Sequence, residues 1–247
     1  MRPVKWVLAA SLVTLAVSLC ANALLFRQLQ VGFQRLQFAR IFPLGYAPDE
    51  KPRAAGSGDS LAFWGDSRAY FWDTSELARD HAVENFAHGA QTSSQLLLQL
   101  QSAPALHSTY ALVQIGINDL HPLGALESRK PQIVAALNAN LIAIRDALLA
   151  RSEHVVLTTI FPPGPVPLAR RLSWDPYTLA SIDAANQTIR GAADGKRVLV
   201  LDAYALLRDR DGLLAAQYAD DDFFLHVNHA AYARLNSELS RILAAQR

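Results

Sequence analysis

From residue 61 to residue 245, short apolar runs alternate with segments whose apolar residues recur every three or four positions. The runs at 61–64, 110–115, 155–160 and 198–201, with a weaker one at 82–86, are rich in Leu, Val, Ile and aromatic residues. Such continuous runs mark strands buried on both faces. The stretches between them, 92–101, 131–151, 176–193 and 229–245, carry the helical period. Pro131 and Pro176 suit the first turn of a helix. Strands separated by amphipathic helices predict a mostly parallel five-stranded sheet with helices on both faces. There is no internal repeat and no low-complexity tract.

The N-terminal pattern is different. Residues 6–26 form an uncharged, mostly apolar run, preceded by Arg2 and Lys5 and followed by Arg27. As a helix it reaches roughly 30 Å, enough to cross the hydrocarbon of a bilayer. It is long for the apolar core of a signal peptide, yet Ala21-Asn22-Ala23 reads as a small-x-small cleavage site, so residues 1–26 are a membrane anchor or a signal sequence. Leu19 is too bulky just before Cys20 for a lipoprotein site. Apolar residues continue at helical spacing through 24–42, either extending the anchor helix or lying along the membrane surface. Residues 49–60 contain Pro52, Gly56 and Gly58 and read as a linker. The expected organisation is therefore 1–26 anchor or signal, 27–59 helical extension and linker, and 60–247 a single α/β domain. Basic residues flank both ends of the apolar run, so charge hardly chooses an orientation. The short N-terminal tail favours export of the long domain to the extracytoplasmic side, membrane-anchored, or secreted if the segment is cleaved.

Composition narrows the function classes. The net charge is +1 over 247 residues, with no long run of one sign. A nucleic-acid binder would carry a basic stripe, and none is visible. A single cysteine, Cys20, allows no internal disulfide and leaves the redox compartment open.

In a parallel α/β sheet, ligands bind outside the carboxyl ends of the strands. The residues following the first three runs are polar or glycine: Gly65-Asp66-Ser67, His88-Gly89, and Gly116-Ile117-Asn118-Asp119. Ser67 has two readings, a helix cap or turn residue and a nucleophile. A serine nucleophile needs a base, a group that orients the base, and donors for an oxyanion. Backbone N–H groups near Ser67 and Gly89 and the Asn118 amide could supply the donors, and His226, just before the last helix, the base. His226 and His229 lack a third ligand at metal spacing, and 191–197 lacks the spacing of a phosphate loop. No metal or cofactor is expected. Asp119 reads as a brace for the Asn118 loop, and Trp64, Tyr70, Phe71 and Trp72 as core and pocket wall.

Four blocks in order resemble the SGNH (GDSL-like) hydrolase family: "GDS" at Ser67, "NFAHGAQT" with Gly89, "IGIND" with Asn118, and "LHVNHAAY" with His226. The resemblance covers nearly the whole of 60–247. It implies a flavodoxin-like three-layer α/β/α fold, Ser67 as nucleophile, Gly89 and Asn118 in the oxyanion hole, and His226 as base. It also implies ester hydrolysis through an acyl-enzyme. The family places an Asp three residues before the histidine, where this chain has Phe223. Asp222, four before, is the candidate triad acid, and a Ser–His dyad with a carbonyl orienting the ring stays open. Arg68 stands where an aliphatic residue is commoner. It could narrow the pocket, bind an anionic or sugar group, or lie in solvent.

The function these readings imply is a membrane-tethered serine esterase acting on acyl esters, O-acetyl among them. Its substrate would be an acetylated glycan or a lipid ester. An acyltransferase on envelope glycans would use the same residues, and a non-catalytic glycan-binding scaffold is the reading from another class. No nucleic-acid partner is expected, and the oligomeric state is left open.

Overall fold

The computed structural model of the protein describes residues 2–46, 53–55, 59–103, 107–171, 174–220 and 224–246. Its centre is a six-stranded sheet: β1 (Arg53–Ala55), β2 (Asp59–Gly65), β3 (His81–Asn85), β4 (Ser108–Gln114), β5 (Ser152–Thr158) and β6 (Val198–Leu201). The spatial order is β1-β3-β2-β4-β5-β6. The last five strands pair parallel. They correspond to the five apolar runs. The short β1 is an addition at the edge, antiparallel to β3, within the stretch read from sequence as linker. Three residues, Arg-Ala-Ala, carry no alternation that could announce it.

Because successive strand side chains point to opposite faces, one run serves two cores. Leu61 and Phe63 of β2 enter one apolar cluster, and Ala62 and Trp64 enter the other. The first cluster is covered by α7 (Ala203–Leu207) and α8 (His229–Ala244). The second is covered by α3 (Ser93–Ser102), α5 (Lys130–Leu149) and α6 (Tyr177–Gly191). In α5 the buried residues are Ile133, Leu137, Leu141, Ile144 and Leu148, the stripe that the helical period requires. Thr92 caps α3 in a reciprocal capping box with Gln95. The result is the three-layer α/β/α sandwich that the alternation predicts.

The chain leaves β2 for β3 on one side and returns to β4 on the other, so the topology reverses between β2 and β4. A crevice for ligands opens at such a point. The strand ends there approach very closely. Gly65 has φ 135°, and a Cβ on it would lie 1.8 Å from the Gln114 carbonyl oxygen. Gly116 has φ 125°, and its Cβ would lie 2.6 Å from Ile160 Cδ1. Only glycine fits either position. Each is followed by a four-residue helix, α2 (Ser67–Tyr70) and α4 (Ile117–Leu120).

The N-terminal segment is one helix, α1 (Arg2–Ile41), 40 residues long. It passes through both the apolar run and the amphipathic stretch after it. Among the described residues it contains a stretch long and apolar enough to cross a membrane, with none of that window buried. Its last turns are different. Gln37 is 4% and Ile41 1% exposed, and Ile41 joins the cluster beneath α3 and α5. Gln34 donates to the Ala125 carbonyl at 2.8 Å, and the Arg129 guanidinium lies 5.4 Å over the Phe38 ring. Thr92 Oγ1 donates to the Arg40 carbonyl at 2.7 Å. The end of α1 is therefore packed into the α/β domain.

This packing predicts that Ile41→Ala costs the full-length chain about 2–5 kcal/mol, the usual range for emptying a buried aliphatic site. The measurement is the midpoint of thermal unfolding in detergent. An unchanged midpoint would contradict a structural role for the end of α1.

Candidate active site

Two hydrogen bonds of Asp66 bring the first site residue into place. β2 ends at Gly65, and the Asp66 N–H donates to the Gln114 carbonyl at 3.1 Å. Asp66 then acts as N-cap of α2, its Oδ1 accepting from the Arg68 N–H at 2.9 Å. The capping role that competed for Ser67 is thus taken by its neighbour. Ser67 Oγ instead lies 3.1 Å from His226 Nε2. His226 stands on the loop before α8, half-buried, its ring edge-on to the exposed Phe71 ring at 5.5 Å between centroids. Asn228 caps α8, accepting from Ala231 N–H at 3.2 Å, and donates to the Gln217 and Ala219 carbonyls. The loop carrying the imidazole is therefore tied at its exit.

Its entrance is tied by Arg68. This side chain is 1% exposed. Its Nε donates to the Leu225 carbonyl at 2.6 Å and its Nη1 to the Phe161 carbonyl at 3.1 Å. The guanidinium carbon lies 5.1 Å over the Phe161 ring, and the Arg68 carbonyl accepts from the Tyr232 hydroxyl at 2.9 Å. Of the roles considered for Arg68 from the sequence, this burial excludes a side chain in solvent, and the guanidinium fastens the loops of Leu225 and Phe161 together. Burial pushes its pKa down and that of the buried Asp66 carboxyl up, and each charge opposes the shift of the other. Two carbonyls satisfy Nε and Nη1, whereas Nη2 is buried without a hydrogen-bond partner among the described residues, so part of the desolvation penalty of this cation stays uncompensated.

The other two blocks converge on the same edge. Asn118, on α4, is 7% exposed, and its Nδ2 donates to the Gln91 carbonyl at 3.1 Å. Asp119 accepts from the Ser93 N–H at 3.0 Å and the Ser93 hydroxyl at 2.6 Å, bracing α4 against the start of α3. Gly89 is exposed, with nothing within 4 Å of where a Cβ would stand. The residue that takes the left-handed backbone is the next one, Ala90, with φ 59°. The Ala90 carbonyl accepts from the guanidinium of Arg40, in the last turn of α1. Among the described residues, no backbone hydrogen bond is donated by the N–H groups of Ser67 or Gly89.

Asp222 lies outside the described residues. Asp220 is described, half-buried, and its charge acts on His226. Burial holds the His226 pKa below its ordinary value, the Arg68 cation pushes in the same direction, and the Asp220 carboxylate opposes them. The ring is therefore neutral near pH 7, with one nitrogen able to accept a proton from Ser67.

The sequence offered little warning of three features: the buried Arg68, the Asp66 cap, and the reach of Arg40 to the loop beside Gly89. The one signal for Arg68 was its setting, a lone cation between Trp64 and Trp72 in an otherwise apolar and aromatic stretch.

A proton NMR titration, with His226→Gln to assign the resonance, should place the His226 midpoint below 6.5, the ordinary value. Arg68→Met removes the neighbouring cation and should raise that midpoint. A midpoint that does not move upward would contradict the electrostatic link.

Residues 54–234 match the GDSL-like Lipase/Acylhydrolase family. No curated protein sequence matches the chain significantly. Among solved structures, the chain is similar to a GDSL-like lipase from Bacteroides thetaiotaomicron, at 19% identity and a TM-score of 0.57, over 76% of this chain and 89% of that one. It is similar to the same degree, 19% identity and a TM-score of 0.57, to an acetylxylan esterase from Geobacillus stearothermophilus, over 76% of this chain and 95% of that one. At this identity the likeness is one of fold.

Proposed function

Since the chain belongs to the GDSL-like lipase/acylhydrolase family, we propose that it is a serine esterase that cleaves acyl esters through an acyl-enzyme. The observation that carries the reading is the 3.1 Å contact between Ser67 Oγ and His226 Nε2, at the strand-end crevice where Gly89 and Asn118 also stand. Ser67 Oγ attacks the ester carbonyl while His226 Nε2 takes its proton. The Ser67 and Gly89 N–H groups and the Asn118 amide stabilise the tetrahedral oxyanion. The imidazolium protonates the departing alkoxide, and the ester C–O bond breaks. Water then attacks the acyl-serine with His226 again as base, releasing the acid and restoring Ser67.

The imidazolium formed in each step sits near the Arg68 cation, so a carboxylate must offset it. Asp222, the acid nearest the position where the family has its Asp, is the proposed triad acid, and Asp220 adds a second negative charge to the same ring. No metal or cofactor enters this chemistry.

The proposed substrate is an O-acetylated glycan. The shared fold with an acetylxylan esterase favours a short acyl group. Residues 1–26 are proposed as the membrane anchor, which α1 carries without a break as far as Ile41, 27–59 as helical extension and linker, and 60–247 as the catalytic domain on the extracytoplasmic side. Intact mass of the protein taken from membranes should equal that of residues 1–247. A mass lacking the first 20 or so residues, as a cleaved signal would leave, would contradict the anchor.

The test of the chemistry is p-nitrophenyl acetate hydrolysis by the full-length chain in detergent micelles. Ser67→Ala should lose about 10³-fold or more of kcat/KM, Asn118→Ala about 10²–10³-fold. Asp222→Asn should lose activity as well. Because neutral His226 is the active form, kcat/KM should fall as pH drops through a midpoint below 6.5. Equal rates for the wild type and Ser67→Ala would contradict the assignment of the nucleophile.

A further inference from the structure

The proposed oxyanion donors sit on three pieces of chain: Ser67, the loop 88–91 with Gly89, and α4 with Asn118. The loop is tied at both ends. The His88 N–H donates to the Gly65 carbonyl at 2.9 Å, two residues before Ser67. Gln91 is 1% exposed, and its side-chain amide donates to Gln99 Oε1 at 2.8 Å. The Gln91 carbonyl is the acceptor for Asn118 Nδ2. An amide nitrogen carries two hydrogens, so this bond orients the Asn118 side chain and leaves one donor over. The placing of both Gly89 and Asn118 therefore depends on one four-residue loop.

The middle of that loop is its weak part. Gly89 and Ala90 are exposed. Ala90 has φ 59°, in the left-handed region that an L residue disfavours. Such a backbone persists only where its surroundings hold it. Among the described residues, the hydrogen bond that reaches this exposed pair comes from the Arg40 guanidinium, onto the Ala90 carbonyl.

Arg40 is well placed to hold it. Its own carbonyl accepts from Thr92 Oγ1 at 2.7 Å, its Nη1 donates to the buried Gln37 at 3.3 Å, and the next residue, Ile41, is in the core. Its charge also acts on the buried Asp119, the neighbour of Asn118. Burial pulls the Arg40 pKa down and pushes the Asp119 carboxyl up to about 6, and each charge opposes the shift of the other. One guanidinium thus reaches the Gly89 loop by a hydrogen bond and the Asn118 helix by its charge. Arg40 follows Ala21-Asn22-Ala23 in the chain, so an anchored and a cleaved protein both keep it.

We propose that Arg40, on the helix that precedes the α/β domain, is a positioning residue for the oxyanion hole, fixing the loop that carries Gly89 and orients Asn118. The end of α1 is then part of the catalytic unit. The assignment rests on the serine-esterase reading and adds to it a residue far from the four family blocks.

The test is p-nitrophenyl acetate hydrolysis by the full-length chain in detergent micelles. Wild type, Arg40→Met, Asn118→Ala and the double variant are compared, with circular dichroism and the thermal midpoint as controls of folding. Arg40→Met should lower kcat/KM by at least about tenfold. In the Asn118→Ala background the same change should cost at least about threefold less, because both residues serve one oxyanion. The pH profile of Arg40→Met should keep its wild-type midpoint, which His226 sets, while its plateau falls. Amide hydrogen exchange, read by peptide mass spectrometry, should speed up across 88–91. If Arg40→Met melts below the assay temperature, Arg40→Lys, which keeps the charge and loses the forked donor, carries the same cycle. Wild-type activity or unchanged exchange in the folded variant, an equal loss with and without Asn118, or a shifted pH midpoint would overturn the positioning role. Ser67-dependent turnover that is indifferent to Arg40 sinks that role alone. Faster exchange across 88–91 in Arg40→Met, with no turnover by the wild type, sinks the esterase reading and leaves the hold on the loop standing.

Discussion

The hydrogen bond from Arg68 to the Leu225 carbonyl, 2.6 Å long and fully buried, is the constraint on which the site depends. Arg68 follows Ser67, and Leu225 precedes His226. One bond therefore joins the neighbour of the hydroxyl to the neighbour of the imidazole, across 157 residues of sequence. The second bond, to the Phe161 carbonyl, fixes the same guanidinium to the loop after β5. With both made, the hydroxyl–imidazole distance is set by the scaffold and not by the two side chains themselves. The arrangement has a cost in chemistry. A cation this near the imidazole disfavours its charged form, and the Asp220 carboxylate acts in the opposite direction.

The glycines on either side of the topological reversal serve the same end. Gly65 and Gly116 let β2 and β4 finish almost in contact, and α2 and α4 start from those points. Ser67 and Asn118 can then stand on one edge although they come from different strands. Asp66, buried, caps the helix that starts after Gly65, and Asp119, buried, ties the helix after Gly116 to the start of α3. The machinery at the edge is thus small, and most of the polar groups near it hold backbone.

The parallel sheet and the four long helices were legible in the sequence because their signals are local. Leu61, Val113 and Val156 lie in unbroken apolar runs, and the stripe from Ile133 to Leu148 repeats with the helical period. The meeting of Ser67 with His226 was legible only through the order of four short blocks, since no local rule links residues so far apart. Three features escaped. Arg53–Ala55 gains its strand from pairing with β3, a tertiary effect on three residues without pattern. Arg68 reads as a surface residue on every propensity scale, and its burial follows from carbonyls supplied by distant loops. The docking of Gln37 and Ile41 was hidden because the extension of α1 is amphipathic in a way that suits a membrane surface as well as a protein core.

The docked end of α1 changes how the N-terminal helix is understood. It is a brace of the loop beside Gly89 as well as a candidate anchor, through Arg40 on the Ala90 carbonyl. The central claim, that Ser67 is a nucleophile activated by His226, is tested most directly by covalent labelling. The full-length chain treated with a p-nitrophenyl phosphonate and analysed by peptide mass spectrometry should carry one phosphonyl adduct, on Ser67, formed much more slowly in His226→Ala. An adduct on another residue, or one on Ser67 that forms at the same rate without His226, would contradict the account.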